Sequence, residues 1–338
     1  METVSYLLIL VVGILLAAWG YHLNLGRLER ALPRRALAWL TLLLGSVLAF
    51  VLSKLVYVAF RQEVFSLHGA AGLIRMNPEE FSFVGGCLGF VLGGILAARI
   101  LRVRVFVALD RMAAPLALGI AFARAAESFL GMLGQGADPI DAEWTHFFPM
   151  TVENVYSAWY SEWVLAINLH LAFLALVCVF LALTWQRKCA DIPGVCFGRT
   201  VTLLCAPLFI LELMRAVSVT IFVRVHSEQI LCFAVMAACI MAAAVRSRKS
   251  AWGIMVPAVL LVLVLGLNVA LQFGADGKLN PFVERLPFSE DARDWMLNHL
   301  SDWCYPGMIL SDIGLVALEL VLTRRQLRRS DHVMAKAA

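Results

Sequence analysis

Nine apolar runs, each about 20 residues long, dominate this chain, and each is long enough for a helix to cross the hydrocarbon core of a bilayer. They lie near residues 4–22, 37–59, 82–100, 105–124, 163–185, 200–222, 228–245, 251–273 and 305–323. A backbone in hydrocarbon must satisfy its own hydrogen bonds, so these runs predict helices. With 61% hydrophobic and 15% charged residues, the chain holds more apolar surface than one soluble domain can bury. The expected fold is all-α, a polytopic membrane bundle of about nine transmembrane helices.

Positive charge marks every second connection. Arg27, Arg30, Arg34 and Arg35 follow the first run, Arg102 and Arg104 the third, and Arg187, Lys188 and Arg199 the fifth. Arg246, Arg248 and Lys249 follow the seventh, and Arg324, Arg325, Arg328 and Arg329 the ninth. Short basic loops stay cytoplasmic, so the N-terminus is expected outside and the C-terminus in the cytoplasm. The same pattern accounts for the net charge of +4 without nucleic acid as a partner. The first run lacks a basic leader and a small-x-small cleavage site, which favours a retained helix over a signal peptide.

Five of the eight cysteines, Cys87, Cys178, Cys205, Cys232 and Cys239, fall within the runs, so no disulfide framework is expected. Cys189 and Cys196 share a loop without nearby histidines and do not match zinc spacing. Neither a metal nor a cofactor is expected.

Three outer segments, 60–81, 125–162 and 274–304, carry most of the irregular sequence. The middle one mixes turn formers with Trp and Tyr, which suits a loop on the outer leaflet. In the last one, Met296, Leu300 and Trp303 recur at helical spacing opposite Asp291, Arg293, Asp294, Asn298 and Asp302. That pattern fits either a short interfacial helix or a cap packed on other loops. Gly85, Gly89 and Gly93 recur every fourth residue of the third run, a spacing that lets helices approach closely in a membrane.

Ionisable residues at hydrocarbon depth are costly, so each is a candidate for function. Lys54 and Tyr57 lie on the second run, Asp110 and Arg124 bracket the fourth, Glu162 opens the fifth, and Glu212 with Arg215 falls inside the sixth. Arg124 and Glu127 are three apart, as are Glu212 and Arg215, so each pair shares one helical face. Two outcomes are open: buried ion pairs that only fix packing, or convergence on one outward-opening cavity where an arginine meets a lipid phosphate. Lys54 has the further option of extending its charge to an interface.

Taken together, "FSFVGGCLG", "DRMAAPLALGIAFARAAESFLG", "LFILELMR" and "HSEQILCF" resemble four successive segments of prolipoprotein diacylglyceryl transferase (Lgt) over about residues 4–245. Gly85 and Gly86 match the glycines of the family's HGG motif, Asp110 the aspartate opening its fourth helix, Arg124 its signature arginine and Gly131 a signature glycine. Tyr6 with Gly13 resembles a first-helix pair. Lys54 with Tyr57 resembles an arginine-x-x-tyrosine segment, and Glu162, Glu212, Arg215 and Gln229 fall in similar contexts. The chain departs from the pattern at Val84, Glu127 and Leu208, where the family has histidine, asparagine and arginine.

The resemblance implies a seven-helix Lgt-like transmembrane domain at 1–250. An extension at 251–338 would add two transmembrane helices and an outer interfacial loop. It further implies transfer of a diacylglyceryl group from phosphatidylglycerol to the lipobox cysteine thiol of a prolipoprotein, at the bacterial cytoplasmic (inner) membrane. On this view the partners are phosphatidylglycerol or another anionic phospholipid, and a prolipoprotein signal peptide. Arg124 would contact the phosphate with support from Arg215 or Lys54, Tyr6 and Tyr57 would donate hydrogen bonds, and Glu127 would act as base or cancel Arg124. The alternative is a non-catalytic phospholipid-binding or lipid-moving protein with the same cavity. A generic transporter fits less well, because paired halves and interrupted helices are missing.

Overall fold

The computed structural model describes residues 2–25, 32–61, 80–129, 135–136, 139–140, 142–157, 160–189, 192–215, 220–222, 225–247, 251–275, 280–285 and 287–337. In chain order the helices are α1 (Glu2–Leu25), α2 (Leu32–Phe60), α3 (Phe83–Ile100), α4 (Val105–Glu127), α5 (Ile167–Lys188), α6 (Val195–Leu211), α7 (Ser227–Ser247), α8 (Trp252–Ala275), the short α9 (Asn280–Val283) and α10 (Glu290–Ala337). A hairpin of β1 (Thr151–Ser157) and β2 (Tyr160–Leu165) precedes α5, and a smaller one of β3 (Thr220–Phe222) and β4 (Val225–His226) precedes α7.

Eight helices among the described residues are long and apolar enough to cross a membrane. The protein is therefore an all-α, multi-pass membrane bundle. The sixth expected run corresponds to α6, which is shorter than expected. It stops at Leu211, gives way to a 3-10 turn at Glu212–Met214, and turns extended at Arg215. Glu212 and Arg215 thus lie beyond this helix, where loop backbone rather than a helical turn sets their geometry. At the other boundaries, α4 continues past Arg124 to include Glu127, and Glu162 sits on β2 instead of opening α5.

The helices pack in sequence-adjacent and long-range pairs: α2 along α3, α1 against α4, α4 against α5, α6 against α7, and α8 against α10. The glycine spacing of α3 serves the first of these. A methyl group added at Gly89 would fall on the Leu48 carbonyl, and one at Gly93 on the backbone of Gly45, so the two helices touch through main chain. Gly13 of α1 makes room for the Phe122 side chain of α4. One apolar core surrounds α1, α3 and α4 through Tyr21, Leu37, Met112 and Ile120, and a second lies between α6 and α7 through Phe209, Phe233, Met236 and Ile240.

The second core extends to Leu315 and Leu322 of α10. Among the buried positions on α10, Met308, Asp312, Leu315, Glu319, Leu322 and Gln326 alternate by four and three and define a seam, with Cys304 one turn before it and Thr323 beside Leu322. The residues read as a short interfacial helix or a cap, 289–303, are helical from Glu290 and run without a break into the span as the first turns of this 48-residue helix. Ser289 precedes its acidic first turn, Glu290 and Asp291, and nothing within 290–304 breaks the helical pattern.

The middle outer segment is also more ordered than a surface loop. β1 and β2 pair antiparallel, with Asn154 opposite Glu162 and Glu153 opposite Trp163. Gly136 donates its amide to the Leu165 carbonyl at 2.8 Å and also bridges to Arg215. This hairpin ties the chain after α4, the start of α5 and the exit of α6 into one place.

Candidate lipid-phosphate site

That place is the candidate site. The last turn of α4 presents Arg124 and Glu127 one turn apart, and their side chains meet at 2.6 Å from Arg124 Nη1 to Glu127 Oε2. Arg215 arrives from beyond α6 and donates its Nη2 to the same oxygen at 3.1 Å. Asn168, fully buried on the first turn of α5, donates its Nδ2 to it at 3.1 Å. Arg215 also pairs with Glu212 at 3.3 Å and reaches Asn168 Oδ1 at 3.4 Å. Two pairs predicted separately are thus one network, with Glu127 Oε2 at its centre. Glu127 Oε1 has no hydrogen-bond partner among the described residues, and the side chain is 19% exposed.

Arg124 itself has no exposed surface. Its guanidinium lies 3.5 Å from the centroid of the Phe83 ring, a cation–π contact. Among the described residues, its Nε and Nη2 donate to nothing. These two atoms form one edge of the planar group, the paired donors that fit two oxygens of a phosphate or carboxylate side-on. A buried charged donor without an acceptor is expensive, about 1–3 kcal/mol or more. Arg124 thus keeps an unpaired bidentate edge inside the protein, at a cost that the surrounding fold sustains.

The N-terminus of α3 closes one side. Ser82 Oγ accepts from the Gly85 amide at 2.9 Å, and Glu228, on the first turn of α7, accepts from the Val84 amide at 2.9 Å. These contacts satisfy two of the amides that every helix start leaves open. Below them His226 Nδ1 donates to the Glu212 carbonyl at 2.6 Å, and Gln229 receives the His226 amide and donates to the Phe209 carbonyl. Gly85 is held against α2, where an added methyl would stand 3.0 Å from the Leu52 carbonyl, while Gly86 has ordinary room.

The other predicted residues divide. Tyr6 is half-buried on α1 and lies within electrostatic reach of Glu127. Lys54 is 2% exposed, so its charge does not extend to an interface. It pairs with Glu80 at 2.7 Å, over the Phe81 ring at 4.8 Å, with buried Tyr57 beside it. Glu162 is part of the β1–β2 hairpin. Asp110 stands 14 residues before Arg124 on α4, about 21 Å along the axis. There its carboxylate accepts the amides of Gly194 and Phe197 at 2.5 and 2.8 Å, capping α6. Gly194 makes that junction with φ +92°, a left-handed value that favours glycine. Gly131 lies outside the described residues.

Sequence reasoning passed over Asn168, Glu80, Glu228 and Phe83. Glu228 and Asn168 each carried a signal, a polar side chain in the first turn of an apolar helix. Glu80 and Phe83 gave none, because their roles depend on partners 26 and 41 residues away. Among the described residues, no three His, Cys, Asp or Glu side chains converge as ligands for a metal ion.

The sequence that builds these elements matches a known family. The model of the prolipoprotein diacylglyceryl transferase family aligns with residues 1–245. The chain belongs to the prolipoprotein diacylglyceryl transferase family. Two similar relatives bear the name phosphatidylglycerol–prolipoprotein diacylglyceryl transferase: one from Polynucleobacter necessarius, 32% identical over 142 residues, and one from Polynucleobacter asymbioticus, 31% identical over 142 residues. Each alignment covers 40% of this chain and 53% or 54% of the relative, so the chain spans about half the length of the curated relatives it matches. Every member of the Arg124 network lies within the family's 1–245 match, and α8 and α10 lie beyond it.

Proposed function

We propose that this diacylglyceryl transferase family member moves the diacylglyceryl group of phosphatidylglycerol to the lipobox cysteine thiol of a prolipoprotein. Arg124 grips the lipid phosphate along its Nε–Nη2 edge. Glu127 takes the thiol proton on Oε1 while Oε2 stays fixed by Arg124, Arg215 and Asn168. The thiolate attacks the glyceryl carbon bonded to the phosphate oxygen, a C–S bond forms, and the C–O bond breaks. The electron pair leaves on glycerol phosphate, whose charge Arg124 stabilises, and the proton held by Glu127 leaves with it. Arg215 positions Glu127, and Tyr6 donates a hydrogen bond toward the same region. Lys54 acts at one remove, through Glu80 and the entry to α3.

The observation that carries this proposal is the buried, unpaired edge of Arg124 beside a carboxylate with one uncommitted oxygen. The loop charges favour this site facing the outer surface of a bacterial inner membrane, where a signal peptide presents its cysteine. The match ending at residue 245 supports a transferase body at 1–250 and an appended extension at 251–338. The test is transfer from phosphatidylglycerol vesicles to a synthetic lipobox peptide, read by mass. A product carrying one diacylglyceryl group, reduced about 100-fold or more in Arg124→Ala, supports the proposal.

A second reading has its own observation. Val84 stands where the family carries histidine, and Glu127 lies between both guanidiniums, which suits a protein that binds phospholipid without reacting. Lipid binding that depends on Arg124, with no peptide product under any condition, selects that reading.

A further inference from the structure

At the other end of the bundle the appended α10 helps enclose a cavity. Phe106, on the first turn of α4, lines it, about 27 Å along that helix from Arg124. The cavity has a volume of about 210 Å³ and is bounded by α4, α6, α7 and α10. Most of its wall is apolar, including Leu109, Phe197 and Ala238. Two groups from α10 interrupt that wall. Glu319 is 2% exposed, and its carboxylate has no hydrogen-bond partner among the described residues. Gln326 is 7% exposed; its Nε2 donates to the Ala243 carbonyl at 2.7 Å, which leaves Oε1 buried and unpaired.

Both unpaired groups accept hydrogen bonds, so the ligand that suits them donates and is positively charged. Arg199, whose charge reaches Glu319, is engaged elsewhere, with Nε donating to Thr323 Oγ1 at 2.8 Å and Nη1 to Cys189 Sγ. One carboxylate and one amide oxygen are too few for calcium or magnesium. A primary ammonium group, with three donors on a compact head, fits the pair. Arg246 adds the complementary charge at the exposed rim, held by the Pro193 carbonyl at 3.0 Å and by the Phe106 ring at 4.1 Å. An ammonium inside, a phosphate at the rim and apolar walls between membrane-spanning helices together describe an amphiphile.

We propose that this cavity seats the headgroup of an aminophospholipid of the ethanolamine type, in the leaflet opposite the Arg124 site. Its ammonium donates to Glu319 and Gln326, and its phosphate meets Arg246. The site exists only because α10 is present, which gives the extension a purpose: a structural or regulatory lipid bound independently of the transfer site.

Native mass spectrometry of the full-length protein tests this, with dioleoylphosphatidylethanolamine, dioleoylphosphatidylcholine and free phosphoethanolamine as separate probes. The ethanolamine lipid is expected to bind about tenfold more tightly than the choline lipid, whose quaternary ammonium cannot donate, and more tightly than the free headgroup. Glu319→Gln should abolish that preference, and Arg124→Ala should keep it. Gly198→Val is a second variant, since a Cβ at Gly198 stands 3.6 Å from Glu319 Oε1 and a larger side chain covers the carboxylate without removing it. Equal binding of the two lipids by the unaltered protein overturns the proposal. So does a preference that survives both variants, or equal binding of free phosphoethanolamine.

Discussion

Replacing Glu127 by glutamine separates two effects that most substitutions would mix. The carboxylate oxygen at the centre of the network accepts from Arg124 at 2.6 Å and from Arg215 and Asn168 at 3.1 Å. Without its charge, three donors lose a strong acceptor, and the lipid-free protein should lose about 2 kcal/mol or more of stability. A bound phosphate would sit on the opposite edge of Arg124, about 6 Å from Glu127, where like charges repel by about 3 kcal/mol at an effective dielectric of 20. The 19% exposure of Glu127 and solvent screening reduce this to about half, so phosphatidylglycerol should bind about tenfold more tightly. Thermal unfolding in detergent, with and without phosphatidylglycerol, reads both numbers. Glu127→Gln should unfold earlier without lipid yet gain more from lipid, while peptide transfer falls about 100-fold or more through loss of the base. A variant that gains less stabilisation from lipid than the unaltered protein would refute this placement of Glu127 beside the phosphate.

Gly89→Ala should destabilise the bundle by about 1–3 kcal/mol, because the methyl group would land on the Leu48 carbonyl; Gly266→Ala, with nothing within 4 Å, is the neutral control in the same melt. Lys54→Met and Glu80→Leu should each cost about 3–5 kcal/mol by removing one half of a buried ion pair, and the double variant should recover most of it in a double-mutant cycle. Asp110→Ala should cost about 1–2 kcal/mol through the lost cap on α6 and leave phosphatidylglycerol affinity unchanged, which separates a structural aspartate from a binding one.

The membrane helices were legible in the sequence because hydrocarbon thickness fixes a run length and imposes it on every span. Both charged pairs were legible from their spacing of three, which is one turn of α4 for Arg124 and Glu127 and a 3-10 turn beyond α6 for Glu212 and Arg215. Their union was not. Glu127 meets Arg215 across 88 residues and Asn168 across 41, and that convergence depends on where the β1–β2 hairpin and the exit of α6 bring the backbone. The hairpin itself was obscured because Trp, Tyr and turn formers serve equally well in a surface loop. Asp110 shows the opposite failure. Its type and depth suggested a site, whereas its carboxylate is consumed by two amides at the start of α6. The seam of α10 escaped notice because Asp312, Glu319 and Gln326 lie among apolar residues whose length alone already predicted a span.

The central claim is contact between the open edge of Arg124 and a lipid phosphate, and a nuclear dipolar coupling measures that contact directly. Protein labelled with ¹⁵N at arginine side chains, reconstituted with phosphatidylglycerol and compared with Arg124→Lys, should show one guanidinium signal dephased by ³¹P at about 4 Å, and that signal should vanish in the variant. A ³¹P coupling that persists unchanged in Arg124→Lys, or an Arg124 signal untouched by phosphorus at saturating lipid, would contradict it.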